Sequence, residues 1–79
     1  MDEYRTSDLY FAAYLITAKC VLKRTDKVDR RVFFIFDKAP FLEELNREYF
    51  NGQAKVSAQP YAAQIKNLKA LTHNLLNSS

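Results

Sequence analysis

Along most of this chain apolar residues recur every three or four positions, but between Arg31 and Asp37 they run unbroken. Val32, Phe33, Phe34, Ile35 and Phe36 are all β-branched or aromatic, a composition that suits a pleated, packed surface, and the run is too short for an independent helix. Asp37 and Pro40 end it. Alternation sends Val32, Phe34 and Phe36 to one face and Phe33 and Ile35 to the other. Both faces are apolar, so the stretch predicts the central strand of a small sheet, with Val32, Phe34 and Phe36 under the helices.

The flanking pattern supplies the rest. Residues 1–6 are polar and read as a frayed end or a brief edge strand through Tyr4. Ser7 or Thr6 is the expected N-cap of a helix over residues 8–19, with Asp8 in its first turn. Leu9, Ala12, Ala13, Ile16 and Cys20 make one apolar stripe, and Phe11, Leu15 and Ala18 an adjacent one. Tyr10, Tyr14 and Thr17 make a third face that carries hydroxyls. Two stripes predict a helix buried over much of its circumference, and the paired alanines predict close approach to the sheet. Residues 20–25 read as a strand and 26–30 as its turn, giving a β-hairpin over about residues 20–37. The turn lacks Asn-Gly or Asp-Gly, so its type and register stay open.

After the hairpin, Pro40 fits the first turn of a second helix. Phe41, Leu42, Leu45, Tyr49 and Phe50 form its apolar side, and Glu43, Glu44, Arg47 and Glu48 its wet side. Gly52 takes the left-handed position that ends it. Residues 53–56 are extended and could form an edge strand. Ser57 caps a third helix, tolerates Pro60 in its first turn, and precedes Tyr61, Ile65, Leu68, Thr72 and Leu75 at helical spacing. Residues 77–79 are expected to fray. The expected fold class is α+β: a small antiparallel sheet and three helices in the order (β)αββαβα, forming one domain over residues 1–79.

Composition narrows the class. With 48% apolar residues and 11 aromatics the chain can build a core, although one this short buries only about 60% of its unfolded surface. One Gly and two Pro argue against disorder. The single Cys20 cannot form an intramolecular disulfide, and no Cys/His cluster is available for zinc, so a reducing, cytoplasmic setting without cofactor or metal is expected. The start Met1-Asp2-Glu3 carries two acidic residues at the point where a secretory leader would be basic. No apolar run approaches the roughly 20 residues that span a bilayer.

The net charge of +3 is unevenly placed. Between Lys19 and Arg31 lie Lys19, Lys23, Arg24, Lys27, Arg30 and Arg31 against Asp26 and Asp29, a local balance of +4, so the remainder carries −1. Such segregation speaks to partners rather than to fold.

Several landmarks together resemble a known family. They are Thr6-Ser7-Asp8-Leu9-Tyr10 with Ala12-Ala13-Tyr14-Leu15, then Arg30-Arg31-Val32-Phe33-Phe34-Ile35-Phe36, then Tyr49-Phe50-Asn51-Gly52, and Leu68-Lys69. The family consists of short bacterial and phage-borne proteins described only as a domain of unknown function, and the resemblance covers about residues 4–72. Relatives tend to carry Gly after the first helix and in the hairpin turn, where this chain has Cys20 and Asp29. The resemblance implies no activity, so site residues rest on chemistry alone.

That chemistry is sparse. His73 has no Cys, Asp or second His at ligand or triad spacing and reads as a surface side chain near a helix end. Cys20 reads as a small buried hydrophobe; a reactive thiol would need Lys19 and Lys23 to depress its pKa. Glu43, Glu44 and Glu48 read as a solvated face. Tyr10, Tyr14 and Thr17 form either a stacking surface or a rim against another helix. A phosphate loop and a dinucleotide fingerprint each need more than one Gly, so no enzymatic activity is expected. Two readings remain. In one, Lys23, Arg24, Lys27, Arg30 and Arg31 contact backbone phosphates, giving a non-specific nucleic-acid-associated module. In the other, those charges guard the edge of the hairpin, and Phe33 and Ile35 form an interface with a protein partner or in a homodimer.

Overall fold

In the computed structural model, which describes residues 3–77, the chain runs through β1 (Glu3–Thr6), α1 (Leu9–Thr17), β2 (Leu22–Val28), β3 (Arg31–Asp37), α2 (Leu42–Phe50) and α3 (Ala58–Asn77). Of residues 77–79, expected to fray, Asn77 is the last residue of α3, and residues 78–79, like residues 1–2 at the acidic start, lie outside the described residues. The α+β class, the three helices and the antiparallel sheet are as the pattern predicts. β3 spans the expected residues without a shift and lies at the centre of a three-stranded sheet of order β1-β3-β2. Both outer strands are antiparallel to β3 and so parallel to each other. α1 links them as a βαβ unit split by the inserted β3.

The register left open by the sequence is resolved by pairing. Leu22 lies opposite Phe36, Arg24 opposite Ile35, Thr25 opposite Phe34, Asp26 opposite Phe33, Lys27 opposite Val32 and Val28 opposite Arg31, with a bulge at Lys23. β2 is thus longer than the pattern suggested, and the turn is only Asp29 and Arg30. Asp29 adopts φ 58°, a left-handed conformation that a short polar side chain tolerates better than most. On the other edge, Tyr4 pairs with Phe36 and Arg5 with Ile35.

All three helices pack on the face of Val32, Phe34 and Phe36, which are 5%, 1% and 0% exposed. α1 buries Phe11, Ala12, Ala13, Tyr14 and Leu15. It comes closest to α3 and not, as the paired alanines suggested, to the sheet, because Phe34 and Phe36 fill the space beneath it. Its cap is Asp8, one residue beyond the expected Ser7 or Thr6. The Asp8 Oδ1 accepts from Tyr10 N–H at 3.0 Å and Phe11 N–H at 3.1 Å, while Thr6 Oγ1 accepts from Asp8 N–H at 3.1 Å.

α1 and α2 end in the same way. At the end of α1, Lys19 N–H reaches Ile16 O at 3.0 Å and Cys20 N–H reaches Leu15 O at 2.9 Å. At the end of α2, Gly52 N–H reaches Tyr49 O at 3.2 Å and Gln53 N–H reaches Glu48 O at 2.8 Å. Each is a Schellman motif around one left-handed residue, Lys19 and Gly52, both at φ 73°. The left-handed position after α1 is therefore Lys19 rather than Cys20.

α2 departs from its expected apolar side. Leu42, Leu45 and Tyr49 face the core, but Phe41 and Phe50 are 43% and 66% exposed. At 3.6 residues per turn they fall on either flank of that narrow stripe. Pro40 precedes the helix rather than entering it. Phe50 still contributes to an aromatic cluster joining β1, α1 and α2. Phe11 lies 5.0 Å from Tyr49, 5.6 Å from Phe50 and 5.9 Å from Tyr4 between ring centroids. Residues 53–57 do not join the sheet. Gln53 and Lys55 lie beside Tyr14, Ala18 and Leu45, in the helical layer and away from both sheet edges. On α3, the predicted Tyr61, Ile65, Leu68, Thr72 and Leu75 form the inward stripe, with Leu68 3% exposed.

Candidate nucleic-acid interface

The hairpin places its five basic residues in two groups. Lys23 and Arg24 lie near the start of β2, level with the start of β1 on the other side of β3. The Lys23 ammonium sits 3.0 Å from Glu3 Oε2 and 3.5 Å from Asp37 Oδ1. The Arg24 guanidinium grips Glu3 with both terminal nitrogens, at 3.0 and 3.1 Å, and its Nε lies 3.4 Å from Asp26. These charge-assisted bonds, from Arg24 first and then Lys23, hold the Glu3 carboxyl at about pKa 2 and raise both cations. Both cations thus already have carboxylate partners.

Lys27, Arg30 and Arg31 cluster instead around the two-residue turn. All three are exposed, and none has an ion pair among the described residues. Lys27, opposite Val32, falls on the helical side of the sheet, where it shares an open hollow with Asp29, Arg30, Leu76 and Asn77. Arg30 and Arg31 also line a hollow of about 450 Å³ on the far side, with Val28, Asp29 and Phe33. Arg30 therefore borders both hollows.

The second sheet face carries Phe33 and Ile35, and among the described residues no helix covers it. Even so, Ile35 is only 2% exposed. Its cross-strand partners are Arg5 and Arg24, which flank it on both sides, and long arginine stems readily cover apolar surface. The apolar area is accordingly smaller than the alternation of β3 implied. Phe33 is half-buried, with the Arg5 guanidinium 4.0 Å above its ring. Arg5 went unnoticed in the sequence because nothing local to residues 3–6 says which residue of β3 they will meet.

The remaining candidates are either packed into the core or exposed singly on the surface. Tyr14 is 3% exposed among Phe11 and Tyr49, and Thr17 Oγ1 donates to Ala13 O at 2.8 Å. Only Tyr10 of that face stays exposed, with Lys69 Nζ 5.6 Å from its ring centroid. Cys20 is buried, and desolvation pushes its thiol up, away from the depressed value that a reactive thiol would need. His73 is exposed and lies against Asn77. Glu43 and Glu44 are exposed in the first turn of α2, where they favour its dipole. Among the described residues no helix is long and apolar enough to cross a membrane, and no three His, Cys, Asp or Glu side chains converge on a point that could hold a metal.

Neither a curated protein nor a solved structure matches the chain. A family model does, over residues 1–74, nearly the whole length, and it takes in the hairpin, the aromatic cluster and the Gly52 cap. The chain belongs to the family described as a domain of unknown function, DUF5659.

Proposed function

We propose that this protein is a nucleic-acid-associated module that grips backbone phosphates with the tip of its β2–β3 hairpin, and that it works by binding rather than by catalysis. The supporting observation is the division among the basic residues. Lys23 and Arg24 are occupied by Glu3, Asp26 and Asp37, whereas Lys27, Arg30 and Arg31 project around a tight turn with no ion pair among the described residues. Three long cations on a ribbon whose strands lie about 5 Å apart can follow one phosphate backbone. Phosphate contacts position a protein and make its affinity depend on salt, but they do not read sequence.

Titration of a fluorescent DNA duplex at several salt concentrations tests this. With three phosphates neutralised, log affinity should fall against log salt with a slope of about −3. Replacing Lys27, Arg30 and Arg31 with Ala should abolish most of the binding, while Lys23→Ala should leave the slope unchanged. Absence of binding by the wild-type protein at low salt, or equal binding by the triple variant, refutes the reading. The charges would then serve to guard the sheet edge. The alternative, a protein-interaction or homodimeric module using Phe33 and Ile35, has little exposed apolar area to work with, because the stems of Arg5 and Arg24 flank Ile35 on both sides.

A further inference from the structure

The hollow beside the hairpin turn combines an aromatic wall with cations, and phosphate gripping alone does not call for that combination. Phe33 forms one wall, Val28 adds apolar surface, and Arg30 and Arg31 stand at the rim. Arg5 lies over the Phe33 ring at 4.0 Å. Asp29 contributes the one carboxylate of the hollow; the turn places it there, through its left-handed backbone. Two cations, Arg30 and Arg31, stand against that one anion. At about 450 Å³ the space can accept a flat, base-sized group. It opens on the sheet face opposite the described helices.

We infer that this hollow holds an unpaired base of a single-stranded nucleic acid, stacked against Phe33, while Arg30 and Arg31 hold the phosphate next to it. The inference rests on the phosphate reading above and adds strand type to it. A duplex keeps its base faces stacked on one another, so an aromatic wall offers it nothing. A single strand can turn a base out, and stacking on an aromatic side chain is tolerant of sequence because every base has a π-face. Arg5 already covers one face of the Phe33 ring, so the base stacks on the ring surface that borders the hollow.

The test compares a fluorescent oligothymidylate with an abasic strand of the same length, which keeps the phosphates and lacks the bases. The wild-type protein should prefer the oligothymidylate by about 5- to 150-fold, the equivalent of about 1–3 kcal/mol for one stacked base. Phe33→Leu keeps apolar bulk without a ring face and should erase that preference. Phe33→Tyr should retain it. Thermal melts of both variants establish that they are folded. If the two strands bind equally, or if Phe33→Leu keeps the preference, the stacking site is refuted. Should that happen while Lys27, Arg30 and Arg31 are still required, the phosphate reading stands alone. If wild-type protein binds neither strand at low salt, the stacking site is refuted, and the duplex titration alone decides the phosphate reading.

Discussion

The two Schellman motifs differ at one atom-level feature, and that difference sets up opposite responses to substitution. At the end of α1 the left-handed residue is Lys19; at the end of α2 it is Gly52, and both sit at φ 73°. An L-residue in that region costs roughly 1–2 kcal/mol through the clash of its Cβ with the following carbonyl. Gly avoids the clash but gives up roughly 0.5–1 kcal/mol more backbone entropy on folding. The difference predicts that Lys19→Gly stabilises the domain by about 0.5–1 kcal/mol. Gly52→Ala should destabilise it by a similar amount. A Cβ built at Gly52 meets nothing within 4 Å, so the loss there is one of backbone conformation alone. Lys19→Ala is the control: it keeps the strained backbone, removes the exposed ammonium, and should stay within about 0.5 kcal/mol of wild type. Urea denaturation followed by circular dichroism reads all three, with unchanged m-values as evidence that the surface exposed on unfolding is unaltered. For a domain of this size each kcal/mol moves Tm by about 4–8 °C. A loss of stability in Lys19→Gly, or no change in Gly52→Ala, would refute the reasoning from backbone strain.

Two further predictions probe the core and the ion-pair cluster. Phe34 is 1% exposed at the centre of the sheet, so Phe34→Ala should cost about 3–5 kcal/mol in urea denaturation, a large share of the roughly 4–12 kcal/mol expected for a chain of this length. The half-buried Phe33 should lose clearly less on the same change, and comparable losses would show that the second face is as tightly packed as the first. The Glu3 carboxyl is lowered from 4.5 to about 2 in the folded protein, so its ion pairs contribute stability that is complete above about pH 4.5 and is lost as pH falls through about 2. Glu3→Gln should therefore be less stable than wild type at neutral pH, and thermal melts of the two should converge near pH 2. A constant gap across that range would place the contribution elsewhere.

What the chain determines by itself is what neighbours along it can determine. β3 could be read because five consecutive β-branched or aromatic residues between Arg31 and Asp37 have no other good conformation. The inward stripe of α3 follows from spacing alone, and the end of α2 from Gly52, whose missing Cβ is a local property. The left-handed Lys19 and Asp29 are hinted at where the family resemblance marks Cys20 and Asp29 as Gly positions; a lysine gives no local sign of that backbone, and an aspartate only a weak one. Other features depend on partners distant in sequence. Glu3 meets Lys23 and Arg24 only because β1 and β2 flank the same strand, and that pairing divides the basic residues into occupied and unpaired groups. Arg5 reaches Phe33 for the same reason. Side-chain alternation shows that Ile35 faces away from the helices, but not that arginine stems cross-strand from it leave it 2% exposed. Phe41 and Phe50 are as apolar as Leu42; which of them is buried depends on how α2 is rotated against α1, and the sequence of α2 does not contain that angle.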